Sequence, residues 1–384
     1  MKSARDIQDQ DWQLFQHRQV ANKHVVTIGG GTGPFGMLSS LKRYPCAITA
    51  IVTMADSGGS SRRLMDEFGQ LPFGDLRQAL VALSRKGVLW RDVFTYRFEK
   101  NNGNSNGNGN GGAHHQNGQN QQGDGEQQSN PGDSEAQLLA QQAGVSGHSL
   151  GNLIISALQE INEGNLLRAI EDAQELLDTA GKVLPVTLSH ATLCAELENG
   201  QIICSETNID TRGKRLDGPL TPIKRVFLSE ETPACEEALR AIKRADMIVI
   251  GPGDLYTSIL PNLLVKDVAE AIHASGAQKI YVCNLMTKRG ETDGFKASDF
   301  ARQIHRYLGG RVDRIIVHDG SFPPNLLGRY AEQAQHPVEL DEDVLRGLIP
   351  DVIVDNFLAF PQEHLVRHDP DRLVAALFAP PNFG

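Results

Sequence analysis

The stretch VVTIGGGTG, residues 25–33, decides the fold. Its first four residues are β-branched and do not alternate with charged or strongly polar ones, which predicts a strand buried on both faces, as in a parallel sheet. The glycines after it predict a turn in which the backbone comes close to a bound group. The next residues, PFGMLSSL at 34–41, predict a helix with Pro34 in its first turn. Together these elements form an anion site, because free N–H groups and the positive end of the helix dipole point at one spot.

This first glycine turn is predicted to bind phosphate. The residues expected to contact it are Gly30, Gly31, Thr32 and Gly33. The GxGxxG spacing from Gly31 to Gly36 fits the dinucleotide fingerprint. That fingerprint also requires an acidic residue at the end of the next strand to bind the ribose, and the next predicted strand, 47–53, does not end with one. The turn has no lysine, so it is not a Walker A loop. A turn needed only for tight packing is the alternative, and ordinary NAD binding is not favoured.

Composition and charge limit the classes of function. With 384 residues, 40% of them hydrophobic, the chain can form one large α/β domain or two to three domains. The net charge of −10 argues against nucleic-acid binding, which usually involves a basic face. No apolar run reaches the ~18 residues of a membrane span, and residues 1–19 lack the apolar segment of a secretory signal. We therefore expect a cytoplasmic protein that neither binds nucleic acid nor inserts into a membrane.

The five cysteines predict neither a zinc site nor a redox motif, because no two of them have CxxC spacing. Their odd number suits a reducing cytoplasm. Four of them lie in or beside predicted strands and are expected to be small core residues: Cys46, Cys194, Cys204 and Cys283.

Predicted strands alternate with predicted helices along most of the chain, which is typical of a mainly parallel sheet with helices on both faces. The Asn-Gly pair at 199–200 predicts a small β-hairpin between strands at 193–198 and 201–204. Residues 101–132, dominated by Asn, Gly, Gln, Ser and His, are predicted to be a disordered insert, since they cannot bury enough apolar surface to offset the entropy of ordering.

A second glycine motif, DSGGSS at 56–61, follows the second predicted strand. Asp56 can ligate Mg²⁺ or bond a hydroxyl. Gly58 and Gly59 can present backbone amides. Ser60 or Ser61 can cap a helix while its hydroxyl donates to phosphate. The alternative is a capped turn in which the carboxylate accepts bonds from local N–H groups.

The motif GDLR at 74–77 begins a predicted helix at Gly74. Asp75 has the position of an ordinary N-cap. Arg77, in the first turn, is unfavourable beside the helix dipole unless it meets a phosphate or a carboxylate. Capping alone is the alternative to a ligand contact.

The motif GHSLGN at 147–152 matches the G-x-S-x-G pattern of α/β-hydrolases around Ser149. That pattern requires a preceding strand, whereas the residues before it predict a helix. His148 and Asn152, four apart on one helical face, are more typical of polar contacts to a ligand.

A second candidate phosphate cradle is GPGDLYTS at 251–258, where Gly251 and Gly253 close a buried strand. Tyr256 is expected either to stack on a base or sugar or to be a half-buried packing residue.

Another predicted strand runs into NLMTKRGET at 284–292, which begins with Asn284. Its basic pair, Lys288 and Arg289, is expected either to meet a diphosphate or to lie in a solvated loop.

These motifs occur in one order and together resemble the CofD/YvcK-like family, most of all its YvcK branch, the gluconeogenesis factors. The resemblance runs from about residue 24 to beyond 318 and rests on IGGGTGP (28–34), AIVTMADSGG (50–59), PFGDLR (72–77), GHSLGN, GPGDLYTSILPNLL (251–264) and NLMTKRGET. It implies a Rossmann-like α/β fold with a helical subdomain at about 75–180. We divide the chain into a leader (1–22), one such domain (23–335) and a C-terminal extension packed on it (336–384).

The two branches of the family imply different functions. The YvcK branch implies binding of UDP-sugars and a role in carbon metabolism and cell shape. The CofD branch implies Mg²⁺-dependent transfer of 2-phospho-L-lactate from a guanosine diphospho donor to a deazaflavin, with Asp56 on the metal. Ser57 stands where the family often has a second Asp, which weakens the transferase interpretation. Arg62, Phe73 and Gln78 also depart from the usual pattern.

We therefore expect a regulator that binds a nucleoside diphosphate or UDP-sugar, with a homodimer as a plausible assembly. The alternatives are the transferase and, remotely, a serine hydrolase. The residues expected to bind ligand are Gly30, Gly31, Thr32, Gly33, Asp56, Gly58, Gly59, Ser60, Ser61, Gly74, Asp75, Arg77, His148, Asn152, Gly251, Gly253, Tyr256 and Asn284.

Overall fold

Strands and helices alternate along the chain in this computed structural model. The structure describes residues 20–55, 72–98, 148–215, 218–359 and 365–381. The strands within them are β1 (His24–Gly29), β2 (Ala47–Val52), β3 (Lys182–Pro185), β4 (Leu193–Leu197), β5 (Ile202–Cys204), β6 (Ile223–Leu228), β7 (Met247–Ile250), β8 (Gln278–Val282), β9 (Arg314–His318) and β10 (Asp351–Asp355). The α-helices are α1 (Gly33–Leu41), α2 (Gly74–Leu83), α3 (Val88–Thr95), α4 (Leu150–Ile161), α5 (Leu166–Leu177), α6 (Glu206–Asp210), α7 (Arg212–Arg215), α8 (Glu236–Arg244), α9 (Leu260–Leu263), α10 (Val268–Ala274), α11 (Ala297–Leu308), α12 (Pro324–Glu332), α13 (Glu342–Leu348) and α14 (Pro370–Leu377).

Seven strands form one parallel sheet in the order β10-β9-β8-β7-β1-β2-β3. Val26 on β1 lies beside Thr49 of β2 on one side and beside Ile248 of β7 on the other. The chain fills one half of the sheet from β1 to β3 and the other from β7 to β10, so the strand order reverses between β1 and β7. Ligands of such sheets bind beyond the carboxyl ends of the strands at this reversal. The predicted α/β fold class is confirmed.

Helices cover both faces of the sheet because successive strand residues point to opposite sides and both sides are apolar. Val25 faces one core together with α1, α2, α5 and α14. Val26 faces the other core together with α8, α10, α11 and α13. Among the described residues, no helix combines the length and the apolar character that crossing a bilayer would require.

The predicted hairpin is confirmed, but its register differs by one residue. Leu197 N–H donates to the Gln201 carbonyl, so the loop between β4 and β5 has three residues rather than two. This shift places Cys194 directly opposite Cys204, and their sulfurs form a disulfide bond. Cys194 is buried, as expected, but Cys204 is exposed, so the expectation that Cys204 is a core residue is wrong. The disulfide was not predicted, since a change of one residue in loop length changes which side chains face each other. With β6, the hairpin completes a small antiparallel sheet.

Two elements have unusual boundaries. The helical segment after the second glycine turn begins as a π-helical turn, Leu255–Ile259, and continues as α9. Strand β3 ends at Pro185, which an edge strand tolerates because its nitrogen faces away from β2, and the next ladder bond comes from the Val186 N–H to the Val52 carbonyl at 2.9 Å. The C-terminal segment adds β10 to the sheet edge and α14 to one face, where the Phe378 ring packs against Tyr44 at a centroid distance of 5.5 Å.

Several predictions concern residues outside the described ranges. These are most of the leader, the insert at 101–132 and the motif DSGGSS at 56–61. The division into domains stays a prediction.

Candidate functional site

The two glycine turns lie side by side because they follow the adjacent parallel strands β1 and β7. A Cβ atom at Gly33 would lie only 2.4 Å from the carbonyl oxygen of Pro252. A Cβ atom at Gly253 would lie 3.2 Å from the carbonyl oxygen of Gly30. The two turns can therefore pack directly against each other only because Gly33 and Gly253 have no side chains. This packing places the two turns next to each other at the same edge of the sheet.

Both turns open onto one cavity of about 820 Å³. This is within the range of roughly 300–1,000 Å³ that is usual for small-molecule sites. Its lining combines the turns, the start of α1, the loop after β8 and residues from the C-terminal part of the chain. The residues that line it include Gly30, Gly31, Thr32, Gly33, Met37, Asp210, Lys214, Gly253, Asp254, Asn284, Met286, Lys288, Arg329, Arg367 and His368.

The start of α1 contributes backbone donors to this cavity. The side chain of Thr32, which precedes the helix, makes no capping hydrogen bond within the described residues. The first N–H groups of an α-helix have no partner inside the helix. At a cavity wall they favour an anion, assisted by the helix dipole.

Asn284 holds the second glycine turn in place through a side-chain hydrogen bond. Its Nδ2 donates to the Gly253 carbonyl at 2.8 Å, which ties the loop after β8 to the loop after β7. Asn284 also lines the cavity. Gly251 lies at the base of the same turn, after the last residue of β7.

Tyr256 is placed in the core and not at the cavity wall. It is 1% exposed, and its ring meets Phe295 edge-on at 6.5 Å. Burial raises the pKa of its hydroxyl well above the ordinary value. The expectation that Tyr256 stacks on a base or sugar is therefore corrected in favour of packing, because the π-helical turn directs it inward.

The other predicted polar residues meet behind the first glycine turn. Arg77 Nε donates to Asn152 Oδ1 at 3.1 Å, and its Nη1 donates to the Phe94 carbonyl at 3.3 Å. Asp75 is buried against Gly30, where an added Cβ would lie 2.3 Å from Asp75 Oδ2. The starts of α2 and α4 thus form a buried polar cluster that supports the first turn.

This cluster contacts the turn but does not line the cavity. Gly74 begins α2, and His148 is buried just before α4. Ser149 is fully buried and caps α4 by accepting a bond from the Asn152 N–H at 3.3 Å. A serine that serves as a buried cap is not presented to a substrate, so the described geometry gives no support to a hydrolase. Of the predicted ligand residues, Asp56, Gly58, Gly59, Ser60 and Ser61 lie outside the described ranges.

Lys288 lines the cavity, but its ammonium group is held by carboxylates. It forms ion pairs with Asp210, with Asp254 at 2.6 Å and with Glu291 at 2.8 Å. Burial alone would lower the pKa of Lys288, yet the three carboxylates hold it well above the ordinary value. Arg289 bends away, and its Nη2 donates to the Gly218 carbonyl at 3.3 Å.

Several cavity residues were not found by sequence reasoning. Lys214, Arg329, Arg367 and His368 come from segments without a glycine motif or a buried strand before them. Asp254 had a local signal, because it directly follows Gly253 in a predicted cradle. The others had none, because a charged residue on a helix or loop is usually solvated.

A family model described as 2-phospho-L-lactate transferase CofD matches residues 25–358. The chain belongs to the CofD family. This CofD family member is 40% identical over 357 residues to a gluconeogenesis factor of Halalkalibacterium halodurans, covering 92% of this chain and 95% of that relative. A gluconeogenesis factor of Bacillus subtilis is 35% identical, with 92% of this chain and 96% of the relative covered.

A solved structure agrees with this assignment. The crystal structure of a Bacillus halodurans protein superposes on this CofD family member with a TM-score of 0.78 at 39% identity, covering 93% of this chain and 100% of that one. The resemblance predicted from the motifs is confirmed.

His368 gives the site a testable pH dependence. Its Nε2 lies 3.0 Å from the Cys283 carbonyl oxygen. Burial, opposed by this bond and assisted by the charge of His318, lowers the pKa of His368 from 6.5 to about 4. The folded state then binds the proton less tightly than the unfolded chain. Its stabilising contribution is present above about pH 6.5 and is lost as the pH falls toward about 4.

The variant His368→Gln keeps an N–H donor and removes this titration. Between pH 7 and pH 5 the wild type should lose up to about 2 kcal/mol more unfolding free energy than the variant. Urea unfolding at the two pH values measures the difference. Equal losses in the two proteins would contradict the assignment.

Proposed function

We propose that the chain binds a nucleoside-diphosphate sugar, specifically a UDP-sugar, in this cavity. One observation carries the proposal: two glycine turns at the reversal of strand order open onto the same space. Backbone N–H groups of the first turn and the start of α1 would hold the diphosphate. If the turns lay at opposite edges of the sheet, they could not act on one ligand.

The rest of the lining suits a nucleotide sugar. The side chains of Lys214, Arg329 and Arg367 offer cations for an anionic ligand. Apolar side chains, among them Met37 and Met286, offer contacts for the faces of a base or sugar. A ligand with both a diphosphate and uncharged rings matches this mixture.

The names of two relatives support a role in carbon metabolism. Gluconeogenesis factor is the name carried by the proteins of Halalkalibacterium halodurans and Bacillus subtilis. We propose that this chain is a cytoplasmic regulator of carbon metabolism, with an effect on cell shape as the YvcK resemblance implies. A homodimer is part of this proposal, and its mass in solution by light scattering tests that part.

Calorimetry with UDP-N-acetylglucosamine tests the binding proposal. We expect a dissociation constant in the micromolar range, which corresponds to about 8 kcal/mol. Uridine monophosphate keeps the base and ribose but lacks the second phosphate, so it should bind at least tenfold more weakly. Absence of heat at millimolar UDP-N-acetylglucosamine would overturn the proposal.

The family model favours a second candidate, because its description is that of 2-phospho-L-lactate transferase CofD. In that function the turns would hold the diphosphate of the donor and Asp56 would hold Mg²⁺. Mixing the protein with deazaflavin, a guanosine diphospho donor of 2-phospho-L-lactate and Mg²⁺ should then form phospholactyl product. A negative result beside a working CofD control would remove this candidate and leave the binding proposal intact.

A further inference from the structure

A disulfide bond joins the two strands that lead into one wall of the cavity. Cys194 is in β4, Cys204 is the last residue of β5, and the two lie directly opposite each other. The Ser205 N–H donates to the Leu193 carbonyl at 2.8 Å, so the neighbouring pair of Cys194 and Cys204 is a non-hydrogen-bonded pair, in which facing side chains come closest. The register of the hairpin therefore brings the two sulfurs together.

The two cysteines differ in their access to solvent. Cys194 is 1% exposed, whereas Cys204 is exposed on the edge strand of the small sheet. A thiolate from solution can therefore reach the Cys204 sulfur and attack the bond there. Disulfides that form in cytosolic proteins are usually transient and serve catalysis or redox sensing. In the cytoplasmic protein proposed above, an accessible disulfide of this kind is thus a candidate for redox modification.

The wall that follows the disulfide is built from short elements. After Cys204 the chain continues into α6 and α7, which have five and four residues. Helices this short do not hold their shape without outside contacts. They contribute Asp210 and Lys214 to the lining of the cavity. The disulfide fastens the start of this wall to β4, whose Leu193 and Ala195 are part of the core.

The far end of the same wall is held by other contacts. Arg212 donates from Nη1 to the Gly290 carbonyl at 2.9 Å and from Nη2 to the Thr221 carbonyl at 2.6 Å. Ile209 is fully buried in the core. Opening the disulfide therefore loosens the start of the wall without detaching its end, so we expect weaker ligand binding and not unfolding.

We propose that Cys194 and Cys204 form a thiol–disulfide switch that dithiol reductants open, and that the closed form holds α6 and α7 in place at the cavity. A thiolate of the dithiol attacks the Cys204 sulfur, the S–S bond breaks, and Cys194 leaves as a thiolate that takes up a proton. The second thiol of the reductant then displaces Cys204 as a thiol. Two electrons and two protons reach the protein, and the dithiol becomes a disulfide. A disulfide oxidant such as oxidised glutathione reverses the exchange.

The effect on the ligand rests on the proposed function. With the disulfide closed, the wall presents Lys214 to an anionic ligand in a fixed position. With the disulfide open, the wall must be ordered when the ligand binds, and this ordering costs binding free energy. Reduction should therefore weaken the binding of UDP-N-acetylglucosamine about fivefold, and re-oxidation should restore it.

Backbone hydrogen exchange, followed by mass spectrometry, tests the switch without any nucleotide. Reduction by dithiothreitol should speed exchange in residues 205–215 roughly tenfold and leave β1 and β7 unchanged. Thiol titration of the unfolded protein should count three free thiols before reduction, from Cys46, Cys235 and Cys283, and five after it. Five free thiols after treatment with oxidised glutathione, or equal exchange in both forms, would overturn the proposal.

The variant Cys204→Ser holds the switch open. Since Cys204 is exposed, serine is tolerated there, and the variant should bind nucleotide as weakly as the reduced wild type and should not respond to dithiothreitol. The matched control is Cys46→Ser, which removes a free thiol that does not line the cavity and should respond to dithiothreitol as the wild type does. Exchange and affinity in Cys204→Ser equal to those of the oxidised wild type would contradict the switch.

The switch and the nucleotide site can fail separately. Redox-dependent exchange in residues 205–215, without nucleotide binding in either form, would support the switch and reject only the proposed function. Nucleotide binding of equal strength in the oxidised and reduced forms would reject only the switch.

Discussion

Replacing Gly33 by alanine should weaken UDP-sugar binding roughly a hundredfold. An added Cβ would lie 2.4 Å from the carbonyl oxygen of Pro252 and 2.8 Å from its carbonyl carbon. Both are backbone atoms, so the two glycine turns must move apart. A shift that removes two charge-assisted N–H contacts to phosphate costs about 3 kcal/mol, which is roughly a hundredfold in affinity. Calorimetry with UDP-N-acetylglucosamine measures this loss.

The same substitution at Gly347 is the matched control. Gly347 lies in α13, and a Cβ there would meet nothing within 4 Å. Gly347→Ala should leave ligand affinity unchanged and should raise stability by about 0.5–1 kcal/mol, because alanine is the better helix former. Gly33→Ala should lower stability by about 1–3 kcal/mol through overpacking. Unchanged affinity in Gly33→Ala would show that the contact between the turns is irrelevant to binding.

Local sequence was sufficient to predict the buried strands and a mainly parallel sheet, but not the order of the strands. Each buried strand is a short apolar run followed by a turn signal, and this pattern does not depend on distant residues. β1 and β7, the two strands that carry the glycine turns, were both predicted in this way. The pairing of Cys194 with Cys204 was not predicted, because it depends on whether the hairpin loop has two residues or three.

Residues of the candidate site could be predicted only where a sequence motif indicates a particular backbone conformation. Gly33 and Gly253 were found because glycines clustered directly after a buried strand indicate a turn that another group approaches closely. Arg367 and His368 were missed, because tertiary packing brings a C-terminal segment to the cavity. For Tyr256 the sequence left ligand stacking and packing open, since a single aromatic residue does not show which side of a turn it faces, and the structure buries it in the core.

Replacing Arg314 by methionine should be the most destabilising single change outside the cavity. Arg314 is 1% exposed, its Nε and Nη2 each lie 2.7 Å from Asp351 Oδ2, and its Nη1 donates to the carbonyls of Ala376 and Leu377. These contacts join β9, β10 and the end of α14. Methionine would leave a buried carboxylate without its cation, at a cost of about 3–5 kcal/mol. Urea unfolding measures the loss.

The exposed ion pair between Arg346 and Glu342 is the control for this prediction. Arg346 is bonded to Glu342 at 2.5 Å, but its side chain is 43% exposed, so Arg346→Met should cost at most about 1 kcal/mol. The double variant Arg314→Met with Asp351→Leu removes both buried charges and should recover more than half of the loss, because the desolvation penalty disappears with the carboxylate. If the double variant were no more stable than Arg314→Met, the main contribution of Arg314 would be its bonds to the carbonyls of α14 and not its pairing with Asp351.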